Sequence, residues 1–216
     1  MCILTRCCGS SSSAGLLVTH EVSAMQKFVL GLLAVVGSVI CGISGDAPAG
    51  YYRVQADLLQ LQNPLGVRHD GKPCDRLGVC DPVIKVFLDT ERPMSAFPGP
   101  RYISQYTKIF SAVDQNEPVI NKNVSVDICG QPFSKANLRA YVKDDDSFLR
   151  LTDDHISDFD CIFSPTPAAD EASAQWSKGE PCQGTTQPGK IKLFYRYRVF
   201  TIPPEQCRPT PPPQSG

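Results

Sequence analysis

From residue 51 onward, short runs of β-branched and aromatic residues alternate with turn-forming segments. Tyr51 to Leu61 (YYRVQADLLQL) switches roughly between apolar and polar positions. A period of two places one set of side chains on a buried face and the other on an open face. Further runs follow at Pro82 to Leu88 (PVIKVFL), Tyr106 to Val113, Val124 to Ile128, Leu138 to Val142, Ile156 to Phe163 and Ile191 to Phe200. Asn-Pro, Asp-Gly, Pro-Gly and Asp-rich stretches separate them. No stripe of helical period is strong. The pattern predicts an all-β chain folded as an antiparallel sandwich. Pro165 to Gly189 is rich in Pro, Ala, Ser and Gly and predicts a long loop around Cys182. Trp176 is expected to anchor that loop, since a lone Trp is usually mostly buried. Pro203 to Gly216 is Pro-rich and predicts an extended tail.

The N-terminal part has a different character. Phe28 to Ile43 is an apolar run preceded by Lys27. It is shorter than the about 20 residues that a spanning helix needs. It fits the apolar core of a secretory signal, with small residues at Gly42, Ser44, Gly45 and Ala47 near its end. Met25 is a plausible start. An uncleaved signal anchor is the competing reading. Residues 1–45 are therefore set apart, leaving a sandwich at 46–202 and a tail at 203–216.

Composition bears on location and partners. Of ten Cys, Cys2, Cys7, Cys8 and Cys41 fall in the set-apart segment. Cys74, Cys80, Cys129, Cys161, Cys182 and Cys207 are left, an even number behind an export signal, which predicts disulfides without fixing their pairing. Neither a Cys-x-x-Cys pair nor a Cys/His cluster supports zinc. Asn123-Val124-Ser125 is a glycosylation acceptor if the chain is exported. A formal net charge of -1 gives no footprint for nucleic acid.

Two acidic stretches carry candidate chemistry. One is Asp75-Arg76-Leu77-Gly78-Val79-Cys80-Asp81 ahead of a strand; the other is Lys143-Asp144-Asp145-Asp146, with Asp153-Asp154-His155 after it. Like charges about 4 Å apart repel by roughly 4 kcal/mol at a surface-like dielectric. Converging carboxylates are tolerated when solvated or bridged by a cation. Calcium takes six to eight oxygen ligands and suits such loops. Solvated turns are the alternative, because Asp is a favoured turn former. Leu77, Phe148 and Leu149 are apolar residues beside these charges. They read either as contacts to a membrane or receptor, or as packing beneath the loops.

The motif order resembles a C2 domain across residues 51–200. Asp75 to Pro82 followed by VIKVFL is similar to that family's Asp-x-x-Gly-x-x-Asp-Pro step into a strand, with Glu117 to Val126 echoing its central strand. Val142, Asp144, Asp146, Asp154 and Ile156 are similar to its third loop. A subset resembles the chain further: the N-terminal MNNL domains of Notch ligands, the Delta, Serrate and Jagged group. Leu59 to Asn63 with Gly66, Cys80-Asp81 before Ile84-Lys85-Val86, and Lys192 to Val199 carry that likeness. The resemblance implies an eight-stranded C2-like sandwich with disulfides. It also implies calcium ligands at Asp75, Asp81, Asp144, Asp146 and Asp154, with Asp153 competing with Asp154 for the last place. Phe87 stands where such ligands often carry a cysteine, and no DSL or EGF pattern follows.

The expected function is a secreted binding module. It would meet a Notch-type receptor or another cell-surface protein, with calcium-dependent contact to membrane lipid headgroups. The alternative is a calcium-dependent phospholipid binder unrelated to Notch. An enzyme is not expected. His20, His69 and His155 are the histidines, and neither a Gly-x-Ser-x-Gly elbow nor a His-Glu-x-x-His helix is present. His69 reads as part of a polar turn and His155 as a loop residue. Lys190, Lys192, Arg196 and Arg198 read as the charged solvent face of an edge strand.

Overall fold

Alternating apolar positions become the two inner faces of a sandwich. The computed structural model describes residues 49–75, 79–145, 154–187 and 189–209. All of them belong to one unit, Gly45–Gly216. The export-signal residues Met25 and Phe28 to Ile43 lie outside the described residues. The strands are β1 (Gly50–Gln62), β2 (Pro82–Asp89), β3 (Thr107–Ser111), β4 (Val119–Gln131), β5 (Ala136–Asp144), β6 (Asp154–Phe163), β7 (Glu180–Pro181), β8 (Gln183–Gly184) and β9 (Lys192–Thr201). One sheet has the order β4-β1-β9-β7 and the other β3-β2-β5-β6-β8. All their pairings are antiparallel.

The core follows the period of two. Val54, Ala56 and Leu58 from β1 meet Leu193, Tyr195 and Val199 from β9 on one face. Ile84, Val86 and Leu88 from β2, with Leu138, Ala140 and Val142 from β5, supply the other. A register shift between Leu58 and Gln60 lets Leu61 also turn inward. Burying each such Leu or Ile is worth about 1.5–3 kcal/mol.

Three disulfides pair all six cysteines of the domain: Cys74–Cys80, Cys129–Cys207 and Cys161–Cys182. Pro181 pairs with Phe194 in one sheet and Gln183 with Asp160 in the other. Cys182 thus sits where the chain steps between sheets, and its bond to Cys161 fixes that step. The start of the tail is docked and not extended. Pro204–Gln206 form a 3-10 turn, Cys207 is bonded to Cys129, and Pro209 bridges Asp127.

Polar side chains hold the covering segments. Trp176 is half-buried, with the guanidinium carbons of Arg196 and Arg198 each 4.8 Å from its ring centroid. Arg196 also pairs with Asp57, and Arg198 with Glu171. These arginines lie on β9 between β1 and β7, so they fasten the 164–180 segment and do not protect an edge. On the other sheet, segment 90–106 is clamped by the fully buried Arg139. Its Nε donates to Asp89 Oδ2 at 3.0 Å, its Nη1 to Asp160 Oδ1 at 2.9 Å and its Nη2 to the Ser95 carbonyl at 2.8 Å. Gly99 has φ +81°, and a Cβ there would lie 2.5 Å from Arg139 Nε. Both the backbone and the clamp therefore call for glycine.

Candidate metal centre

Three connections leave the same end of the sandwich: 63–81 between β1 and β2, 112–118 between β3 and β4, and 145–153 between β5 and β6. Sheet register brings their roots together. Pro82 is opposite Asp144, and Asp144 is opposite Asp154. Asp81 precedes Pro82. Its N–H donates to Asp144 Oδ1 at 2.5 Å, and its carbonyl accepts the Asp145 N–H at 2.9 Å. Its own Oδ1 accepts the Asp114 N–H at 2.6 Å. Three of the expected ligands, Asp81, Asp144 and Asp154, therefore sit on neighbouring strand ends. Asp75 is half-buried and follows Cys74, whose bond to Cys80 ties it to the same end. Asp146, Leu77, Phe148 and Leu149 lie outside the described residues.

A buried asparagine organises this end. Asn63 is fully buried; its Nδ2 donates to the Val67 carbonyl at 2.8 Å, and its Oδ1 accepts the Val67 N–H at 3.1 Å. Its N–H donates to the Asn116 carbonyl at 3.2 Å. Asn116 Oδ1 accepts the Cys80 N–H at 2.9 Å. The first and second loops are thereby joined. Beyond Val67 a small hairpin forms, with Arg68 N–H donating to the Lys72 carbonyl at 2.8 Å and Gly71 N–H to the Arg68 carbonyl at 2.9 Å. Gly71 has φ +81°, which favours glycine.

The hairpin lays its side chains on β6. Arg68 Nη1 donates to Asp154 Oδ2, and Arg68 Nη2 to Asp70 Oδ2 at 3.3 Å. Burial alone would lower the pKa of Arg68, but the hydrogen bond and charge of Asp154, with a smaller effect of Asp70, leave it raised. The rings of His69 and His155 lie 4.9 Å apart. His155 stacks flat on Tyr141, with centroids 5.1 Å apart, and its Nε2 meets Asp158 Oδ1 at 2.9 Å. His155 is thus a strand residue in a ring stack and not a loop residue, because β6 begins at Asp154.

The donor set suits a hard cation. Carboxylates from strand-end and loop positions are the oxygen ligands that calcium prefers. In this arrangement, however, one oxygen of Asp154 is taken by Arg68. Among the described residues, the set of three ligand atoms within 4.8 Å of one another is Cys74, Cys80 and Asp144. The two sulfurs are bonded to each other, so they offer no thiolate to a metal. One oxygen of Asp81 accepts the Asp114 N–H and one of Asp144 accepts the Asp81 N–H. The three carboxylates share a strand-end region without forming a set of three oxygens within 4.8 Å of one another. Their donor chemistry suits calcium, and Asp81, Asp144 and Asp154 are the described residues that would hold it once drawn together.

Sequence reading missed several residues here. Asp114 in the second loop joins Asp81 through its backbone, and its φ of 53° is one that Asp tolerates. Asn63 entered only as the end of the first-strand likeness and Arg68 only as part of a polar turn, so neither signalled its role in fastening this end. Leu65 and Val113 are 60% and 70% exposed on loops of this end. Only the rule that exposed apolar residues beside charges mark contacts could have found them.

A two-sheet antiparallel sandwich with acidic loops at one end defines a C2-like module. A C2 domain protein from Ramazzottius varieornatus, solved by crystallography, is similar at 33% identity and a TM-score of 0.70, over 76% of this chain and 96% of that chain. The chain belongs to this family of C2 domain proteins. The Drosophila C2-DSL-EGF1 structure is similar at 13% identity and a TM-score of 0.45, over 69% of this chain and 67% of that chain. The C2A domain of plant Extended Synaptotagmin 1 is similar at 15% identity and 0.43, over 72% and 98%. No family profile and no curated protein matches the chain.

Proposed function

We propose that this chain is an extracellular C2 binding module whose acidic loop end takes up calcium and docks on anionic lipid headgroups. The observation that supports this reading is the placement of Asp81, Asp144 and Asp154 on adjacent strand ends. Calcium, when bound, supplies positive charge and open coordination positions to an end that would otherwise repel phosphate. The chain's own residues set the rest. Backbone hydrogen bonds hold Asp81 against Asp144 and Asp145. The Cys74–Cys80 bond holds the residue before Asp75 to the residue before Asp81, so both carboxylates stay at this end. Exposed Leu65 and Val113 offer apolar contact at the same end. Three disulfides favour an oxidising compartment, which supports secretion. On this reading the protein is a binder and not an enzyme.

A second reading, contact with a Notch-type receptor, is favoured by one feature. The first loop carries a disulfide, as the likeness to Notch-ligand domains implies.

Calcium titration by calorimetry tests the first reading, with Asp81→Asn and Asp144→Asn as controls. Uptake in the range of about 10⁻⁴ to 10⁻³ M, lost in both variants, is the expected result. Co-sedimentation with phosphatidylserine vesicles should then require calcium. No heat and no change in melting temperature would refute the metal site. Calcium-independent capture of a Notch-type receptor ectodomain would favour the second reading.

A further inference from the structure

We propose that Arg68 is a resident cation of the acidic end. Its guanidinium neutralises Asp154 and straps the first loop onto β6 when no metal is bound. The competition with calcium that follows rests on the calcium reading above; the strap itself does not.

The geometry points to a built contact. The hairpin between Val67 and Pro73 closes through the Arg68–Lys72 and Gly71–Arg68 backbone hydrogen bonds, so Arg68 is aimed by its own turn. The Arg68 and Asp154 side chains are only 16% and 20% exposed. Asp70, two residues on, meets the same guanidinium from the other side. His69 N–H donates to the His155 carbonyl at 3.2 Å, which docks the hairpin backbone beside the ion pair. An arginine is always charged and presents its donors in a fixed fork. It is also more weakly hydrated than a lysine, so it loses less on being partly covered.

The consequence is a competition. Asp154 follows the β5–β6 connection and is opposite Asp144 in register. A calcium ion drawing on Asp154 must share or displace the guanidinium. The strap then raises the calcium concentration needed to fill the site, and holds the loop when calcium is scarce.

The experiment uses the purified full chain, with Arg68→Met, Arg68→Lys and Asp154→Asn. In EDTA, hydrogen exchange is followed at the amides of Arg68, His69, Gly71 and Cys74, which the hairpin and its docking protect. Arg68→Met and Asp154→Asn should each speed exchange there by about tenfold, with Arg68→Lys in between and the β5 amides unchanged. Asp154→Asn keeps Arg68 and so guards against a folding defect peculiar to the Met variant. Calorimetry should show Arg68→Met binding calcium about tenfold more tightly than the parent. Unchanged hairpin exchange in both variants overturns the strap. Equal calcium affinity in parent and Arg68→Met overturns the competition. If neither protein takes up calcium, the metal reading fails and the EDTA exchange alone decides the strap.

Discussion

Replacing Arg139 with Met removes a fully buried guanidinium while keeping most of its length and volume. Its partner Asp89 has a fully buried side chain, and Asp160 is 19% exposed. Asp89 Oδ1 would still accept the Glu91 and Arg92 N–H groups at 3.1 and 2.9 Å. The other oxygen would face an apolar side chain. Breaking a buried pair from one side costs about 3–5 kcal/mol, because the remaining charge is uncompensated. The freed carbonyls of Arg92, Pro93 and Ser95 add little if segment 90–106 lifts and they reach water. In a domain of this size each kcal/mol lowers Tm by about 2–4 °C, so the drop should be roughly 10 °C. Urea unfolding followed by circular dichroism gives the free energy directly. Adding Asp89→Asn to Arg139→Met should restore part of the loss, since the stranded charge is then gone. A loss under about 1 kcal/mol for the single variant would show that water already reaches this cluster and that the clamp contributes little.

The other predictions concern covalent and titrating links. Loop-closure entropy ranks the disulfides by sequence separations of 78, 21 and 6. Removing Cys129–Cys207 should cost about 4–5 kcal/mol and Cys74–Cys80 about 2, as read from urea midpoints of paired Cys→Ala variants; a reversed order would refute the ranking. Burial alone would raise Asp127, but the Arg53 hydrogen bond and the Arg208 N–H outweigh it and hold its carboxyl below the ordinary value. Its contribution is therefore complete above the unfolded pKa near 3.8 and is lost as pH falls through the lower folded value. Asp127→Asn should flatten the acid limb of stability against pH, and parallel limbs would contradict this. Burial, and then the hydrogen bond to Glu180, push the Tyr195 phenol well above its ordinary 10. Its contribution is present below the unfolded pKa and is lost as pH rises beyond it. Tyr195→Phe should soften alkaline unfolding, monitored by phenolate absorbance; an unchanged alkaline midpoint would count against it.

Local pattern made the architecture legible. The alternation in Tyr51 to Leu61 became β1, and the dense apolar run Pro82 to Leu88 became β2, buried on nearly every residue. Val124 to Ile128 grew to Val119–Gln131, because pairing with β1 recruited polar residues such as Lys122 and Asn123. The position of some acidic residues was legible as well. Asp81 precedes one predicted strand and Asp144 ends another, which is where the structure places them, on neighbouring strand ends. The Cys74–Cys80 bond around Asp75 was not fixed by the sequence. What escaped was contact over long separations. Arg139 reads as one more polar residue in an apolar strand until segment 90–106 covers it. Arg68 reads as a turn residue until its hairpin folds over Asp154. Arg196 and Arg198 looked like an exposed edge because Trp176 and Asp57 are remote in sequence.

These long-range contacts bear on how a cation would act at the loop end. Asp81 is fixed through its N–H, its carbonyl and its carboxylate by three different residues. The N–H groups of Asn63 and Cys80 bond Asn116 and hold the first loop to the second, and the Cys74–Cys80 bond closes the first loop on itself just ahead of β2. Asp81 and Asp144 are thus positioned by the scaffold, and a ligand binding there need not order them. Preorganisation of this kind favours affinity by cutting the ordering cost of binding. Replacing the guanidinium on Asp154 works against it. The balance of the two sets the calcium threshold. A change at Arg68 should therefore move that threshold more than an equally sized change in the strands beneath it.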